Sequence, residues 1–113
     1  MREIWREENS RCFDGVLPCP ILHIMHSKKL DWAGLQWLDT SNGKHHIAIN
    51  TFLVTSKKVL RPVMVHEMIH QLQLLQKSDR TKREHHGRFF VHHAFRIIID
   101  HHILIGKYFH GKS

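Results

Sequence analysis

Two histidines and a glutamate stand in the order His66-Glu67-Met68-Ile69-His70, which is the pattern H-E-x-x-H. On an α-helix, side chains four residues apart project from nearly the same face, about 40° apart around the axis. Two imidazoles at this spacing can share one tetrahedral zinc ion, with Glu67 at the flank of the pair. Zinc lowers the pKa of a bound water to about 7, and Glu67 can accept its proton and return it to a leaving amine. The pattern therefore predicts zinc-dependent hydrolysis with Glu67 as the general base.

The helix that must carry this motif is predicted to start at Pro62, a residue that suits the first turn of a helix. Residues 63–77 contain no glycine or proline and many helix-forming residues. Four apolar side chains fall on the side opposite the two histidines, so that a core face separates from a ligand face. These four are Met64, Met68, Leu72 and Leu75. The alternative is a surface helix with two solvated histidines.

A zinc site of this kind needs a third protein ligand from further along the chain. One class of these peptidases has a glycine and a third histidine shortly after the motif, but Gln73 and Gln76 stand at those places. Gly87 follows His86 and would let the backbone pack closely at the start of the next helix. Spacing alone does not choose among five candidates, which are Glu84, His85, His86, His92 and His93.

The elements before the motif show one helix pattern and three strand patterns. Residues 2–13 predict an amphipathic helix that ends at Asp14-Gly15. Asn42-Gly43 between the last two strands is a strong hairpin signal. The three predicted strands are residues 20–27, 32–38 and 45–50.

The C-terminal part predicts a polar loop at residues 77–85, a long helix at 87–105 and a frayed tail at 107–113. The order α-β-β-β-α-α indicates an α+β fold with one small antiparallel sheet of three strands. A chain of 113 residues has no room for two independent cores, so residues 1–113 are predicted to form a single domain.

Composition excludes several classes of protein. Hydrophobic residues make up 42% of the chain, which excludes long disorder, and no run approaches the ~18 apolar residues of a membrane span. The N-terminus is too acidic for a signal peptide, so we expect a cytoplasmic protein without a membrane partner. The two cysteines, Cys12 and Cys19, cannot form a four-cysteine zinc ribbon. A formal net charge of +7 favours an anionic partner such as DNA.

The chain resembles the SprT/Spartan-like zinc metalloproteases in its motifs and in their order. The family pattern is H-E-x-x-H, a loop, and then H-G-x-x-F, which matches His66–His70 and then His86-Gly87-Arg88-Phe89-Phe90. The upstream segments Phe13–Pro18, Trp32-Ala33-Gly34 and Ile47–Asn50 are also similar, so that the resemblance covers about residues 3–98.

This resemblance implies a zincin-like fold with one zinc ion held by His66, His70 and His86, and Glu67 as the general base. It implies that Phe90 is a packing residue. Characterised relatives are DNA-dependent proteases that cut proteins crosslinked to DNA, so we expect a protein substrate and DNA as a partner. Seven cations are the candidate phosphate contacts, without sequence preference. They are Lys57, Lys58, Arg61, Arg80, Lys82, Arg83 and Arg88.

Two other interpretations are consistent with the same residues. Many relatives carry a cysteine-rich zinc ribbon or additional DNA-binding modules, which are not found in these 113 residues. The zinc could therefore be structural, in a DNA-binding adaptor module without peptidase activity, although such a site needs no Glu67 and usually has four protein ligands. The activated water could also attack a substrate other than a peptide.

Overall fold

The computed structural model describes residues 1–75 and 88–101, with the side chains of 88, 89, 95 and 98–101 left out. The predicted loop at 77–85 and the tail at 107–113 lie outside these ranges. The described residues form a small α+β fold with one three-stranded mixed sheet. In chain order its elements are α1 (Arg2–Phe13), β1 (Ile21–Met25), β2 (Gly34–Asp39), β3 (Lys44–Asn50), α2 (Lys57–Leu75) and α3 (Arg88–His101).

Helix α1 has the bounds that its amphipathic pattern predicts, and it ends where the chain turns left-handed. Asp14 has φ 52° and Gly15 has φ 71°, and the Gly15 N–H donates to the carbonyl of Asn9 over 2.9 Å. The Asn9 side chain then fixes the next segment through two 3.1 Å bonds with the Leu17 backbone. The end of α1 is thus determined locally, which explains why the sequence predicts it.

The sheet has the order β1-β3-β2, and the prediction of an all-antiparallel sheet is wrong. The predicted hairpin is confirmed: β2 and β3 are antiparallel, and Asp39 pairs with Lys44 across a turn in which Gly43 has φ 71°. Strand β1 runs parallel to β3 and opposite in direction to β2. Because the hairpin occupies one edge of β3, β1 pairs with the other edge, and that pairing is parallel.

Asn50, at the end of β3, holds the connection that makes this parallel pairing possible. Its side chain is fully buried and donates to the carbonyls of Ser27 (2.9 Å) and Trp32 (3.2 Å). Its amide oxygen accepts a bond from the Ser27 N–H over 3.1 Å. These bonds secure both ends of the crossover between β1 and β2, so that one side chain satisfies backbone groups that no strand can reach.

Helix α2 begins five residues before Pro62, so the predicted start at that proline is wrong. The Leu60 N–H already donates to the Ser56 carbonyl over 2.9 Å, which places Pro62 in the second turn. A proline there removes one backbone bond, and packing compensates for that loss. The helix lies between the sheet and the pair α1 and α3, and its side chains from Val63 to Gln73 are all buried.

Candidate metal centre

The histidines of the H-E-x-x-H motif lie side by side on α2, in the interior of the protein. The ring centroids of His66 and His70 are 5.0 Å apart, with an interplanar angle of 72°. His66 and Glu67 are fully buried, and His70 is 2% exposed. This burial excludes the alternative of a surface helix with solvated histidines. Polar groups buried at this depth need partners, and a bound cation is one such partner.

The predicted separation of a core face from a ligand face on α2 is only partly correct. Met64, Met68 and Leu72 are buried as expected, but Leu75 is 44% exposed at the end of the helix. The motif face is as buried as the apolar face because the sheet covers one side of α2 and the other helices cover its other sides.

Glu67 packs against the backbone of β2 at Gly34. A Cβ atom at Gly34 would stand 2.8 Å from Val63 Cγ1, 3.0 Å from Glu67 Cγ and 3.1 Å from Glu67 Oε2. Only a glycine lets the strand approach the carboxylate so closely. The Oε2 atom of Glu67 also lies 4.0 Å from His66 Nε2. Sequence reasoning missed this role of Gly34, for which a glycine inside a strand pattern was the available signal.

His70 has a close partner one turn further along α2. Its Nδ1 atom lies 2.6 Å from Oε1 of Gln73, whose side chain is 1% exposed. Residues three apart on a helix are neighbours on its surface, which explains the contact. In the sequence Gln73 only marked the missing glycine of a different peptidase class; here it contacts one of the predicted ligands.

Helix α3 contributes Phe90 to the same region. The Phe90 ring centroid lies 4.7 Å from that of His66 and 4.9 Å from that of His70, and the side chain is 2% exposed. The predicted packing role of Phe90 is therefore confirmed. An apolar ring against both imidazoles limits their rotation and keeps water from that side of the pair.

Three candidates for the third ligand, Glu84, His85 and His86, lie outside the described residues. His92 and His93 are on α3, but the described part of the chain contains no group of three potential ligands that could hold a metal ion. The Nδ1 atom of His93 instead lies 3.3 Å from an Arg96 guanidinium nitrogen. Burial, with smaller effects from Arg96 and His92, lowers the pKa of His93 to about 4. Among the described residues, no observation therefore supports His92 or His93 as the third ligand.

Cys12 is not suited to metal binding or nucleophilic attack. Its thiol is buried in α1 and donates to a carboxylate oxygen of Glu8 over 3.3 Å. Burial and this bond to Glu8 raise the pKa of Cys12 to about 12, so that the thiolate required for either role is not formed near neutral pH.

The structure describes three of the seven predicted DNA contacts with their side chains. Lys57 and Lys58 are exposed in the first turn of α2. Arg61 is bound to α1: its guanidinium donates to Glu7 over 3.2 Å and to Glu8, and these bonds raise its pKa. Arg88 is the first residue of α3. Arg80, Lys82 and Arg83 lie outside the described residues.

Comparison with known proteins gives one family match. The model of the SprT-like family matches residues 1–110, and this family is generally associated with zinc metalloprotease-type domains. A search of curated proteins finds no match. In the part of the chain that the structure describes, no helix is both long and apolar enough to span a bilayer. Because the family match covers nearly the whole chain and includes the buried motif, the chain belongs to the SprT-like family.

Proposed function

We propose that this protein is a zinc-dependent metalloendopeptidase that cleaves proteins bound or crosslinked to DNA. In this proposal His66, His70 and His86 hold one zinc ion, and Glu67 is the general base. The observation that carries it is the burial of all three motif side chains on α2, with Glu67 seated against the backbone of β2. A helix selected only for packing has no need of two histidines and a glutamate at its most buried turn.

The residues present fit a zinc ion. Two imidazoles with centroids 5.0 Å apart on one helical face supply the nitrogen ligands that zinc prefers. The amide oxygen of Gln73 lies beside Nδ1 of His70 and accepts its hydrogen. This leaves Nε2 of His70 as the nitrogen that can bind a metal. When bound, zinc supplies a Lewis acid that polarises a carbonyl and lowers the pKa of water.

Glu67 supplies the proton transfer. Its carboxylate is fully buried beside His66, with Oε2 4.0 Å from His66 Nε2. Glu67 accepts the proton of the attacking water and returns it to the nitrogen of the leaving amine. Gly34 leaves room for the carboxylate at this place, and Phe90 limits the water on the other side of the histidines.

The proposal of DNA-associated substrates depends on charge and on the family. The net charge of +7 attracts a polyanion, and Lys57 and Lys58 are exposed on the helix that carries the motif. They precede His66 by two to three turns, or about 12 Å along the helix axis. A DNA strand bound there would hold an attached protein near the candidate active site.

The test uses a protein crosslinked to DNA as the substrate. Its cleavage is measured with each of three zinc-loaded proteins, in the presence and in the absence of free DNA. These are the wild type, Glu67→Gln and, as a control, Glu3→Gln, which changes an exposed carboxylate on α1. We expect Glu67→Gln to bind zinc and lose at least 100-fold in rate, because the general base contributes about 10²–10⁴-fold. Glu3→Gln should cleave like the wild type.

Other outcomes would change the proposal. Equal cleavage by Glu67→Gln and the wild type would contradict the role of Glu67. Cleavage that does not depend on DNA would retain the peptidase and remove DNA as its activator. If all three proteins bind zinc and DNA but none cleaves, the adaptor function replaces the proposed one.

A further inference from the structure

We propose that Gln73 is a positioning residue that holds His70 in the tautomer whose Nε2 can bind a metal ion. The inference rests on the proposed function, because it concerns the geometry of one predicted zinc ligand. It starts from a short contact between two buried side chains: Gln73 Oε1 lies 2.6 Å from His70 Nδ1, and the two residues are 1% and 2% exposed.

The chemistry of this contact fixes where the imidazole proton resides. An amide oxygen can only accept a hydrogen bond, so His70 Nδ1 must carry the hydrogen that it donates. A neutral imidazole has one N–H group, and Nε2 then keeps its lone pair for a cation. Without such an acceptor at Nδ1, both tautomers are available to the ring, and the one with a hydrogen on Nε2 cannot bind a metal through Nε2.

Burial makes this control effective. In water, solvent would satisfy either ring nitrogen, and the hydrogen bond to Gln73 would contribute little. At 2% exposure, an Nδ1–H group without an acceptor would carry the cost of an unsatisfied buried donor. Histidine ligands are generally oriented by a hydrogen bond from their other nitrogen, and its loss typically lowers metal affinity by about 10- to 100-fold.

The neighbouring Gln71 provides a matched control. It is fully buried on the same helix, but its side chain accepts a bond from the Trp5 indole over 3.4 Å and donates to the Pro18 carbonyl over 2.6 Å. Gln71 thus connects α2 to α1 and to the loop after it. Its replacement removes an equally buried amide from the same helix and leaves the contact with His70 in place.

The experiment measures zinc affinity by competition with a chelator for wild type, Gln73→Leu, Gln73→Glu and Gln71→Leu. We expect Gln73→Leu to bind zinc about 10- to 100-fold more weakly. Gln73→Glu keeps an acceptor oxygen and should bind at least as tightly as the wild type. Gln71→Leu should lower the melting temperature and leave zinc affinity within about threefold of the wild type. Equal affinity of Gln73→Leu and the wild type, or an equal loss in Gln71→Leu, would overturn the inference.

A second measurement separates the inference from the proposed function. The ¹⁵N chemical shifts of the His70 ring, recorded in metal-free protein, show which nitrogen carries the hydrogen. We expect Nδ1–H in the wild type and in Gln73→Glu, and a mixture of tautomers in Gln73→Leu. A wild-type protein that takes up no zinc would contradict the proposed function, while the ring shifts would still decide the role of Gln73. A hydrogen on Nε2 in the wild type would overturn that role.

Discussion

At the scale of single residues, the candidate site depends on the carboxylate of Glu67 and on the absence of a side chain at Gly34. The Glu67 side chain is carried by α2 and packs against the backbone of β2 at Gly34. No φ in the left-handed range requires a glycine at residue 34, so its role is to leave space. Any side chain there would contact Glu67 and Val63 before it contacted anything else.

Gly34→Ala should therefore reduce both the rate of cleavage and the stability of the fold. The added Cβ would stand 2.8 Å from Val63 Cγ1 and 3.1 Å from Glu67 Oε2, so that both side chains must move. Overpacking of this kind costs about 1–3 kcal/mol of unfolding free energy. Displacement of Glu67, the proposed general base, by about 1 Å can lower the rate about 100-fold. Urea unfolding and the cleavage assay measure the two effects.

The double variant Gly34→Ala/Val63→Ala is the control for this prediction. Removing the Val63 methyl groups relieves the 2.8 Å contact and should restore part of the stability, while Glu67 remains displaced and activity stays low. If Gly34→Ala cleaves at the wild-type rate, the close approach of β2 has no bearing on Glu67.

At the scale of elements, α1 is attached to α2 by ionic and polar contacts that the sequence patterns did not predict. Glu8 is fully buried in α1 and accepts bonds from Arg11 at 3.1 Å and from Arg61 of α2. A buried carboxylate requires such partners because burial without them costs several kcal/mol. Arg61, predicted to contact phosphate, is thus engaged with carboxylates in this structure.

Arg61→Met should destabilise the fold by about 2 kcal/mol, which is less than the 3–5 kcal/mol for an unpaired buried charge because Arg11 remains beside Glu8. The exposed Arg6→Met on α1 is the matched control and should change stability by less than about 0.5 kcal/mol. Chemical denaturation of the wild type and the two variants gives the free energies of unfolding. A loss in Arg61→Met no larger than that in Arg6→Met would show that the ion pair does not hold the helices together.

The elements also show which parts of the fold can be predicted from sequence. The end of α1 at Asp14-Gly15 and the hairpin at Asn42-Gly43 depend on nearby residues, and the structure agrees with both predictions. The parallel pairing of β1 depends on Asn50, whose side chain bonds to backbone carbonyls 18 and 23 residues away and has no local signature. The start of α2 before Pro62 likewise reflects packing, which outweighs the local cost of proline.

The candidate site, like the fold, can be predicted from the sequence only in part. The adjacency of His66, Glu67 and His70 follows from the helical repeat alone, so the sequence predicts it. The contact of His70 with Gln73 also follows from that repeat. The sequence does not show, however, that both side chains are buried. The approach of Gly34 comes from another element, and no spacing rule within α2 could predict it.

At the scale of the whole molecule, the net charge of +7 should make binding to single-stranded DNA strongly dependent on salt. Each phosphate neutralised contributes about 0.7 to the slope of log affinity against log salt. If Lys57 and Lys58 each contact a phosphate, Lys57→Gln/Lys58→Gln should reduce that slope by about 1.4. Fluorescence anisotropy with a labelled oligonucleotide at several salt concentrations measures it.

The matched control is Lys28→Gln/Lys29→Gln, which removes two charges from an exposed turn after β1. It lowers the net charge by the same amount, so any general attraction falls equally in both variants. We expect a smaller change of slope in this control, because direct contacts release counterions and a distant charge does not. Equal slopes in the two variants would mean that DNA is attracted by the whole surface and is not positioned by the start of α2. The proposed approach of a DNA-bound protein to Glu67 would then require contacts from other residues.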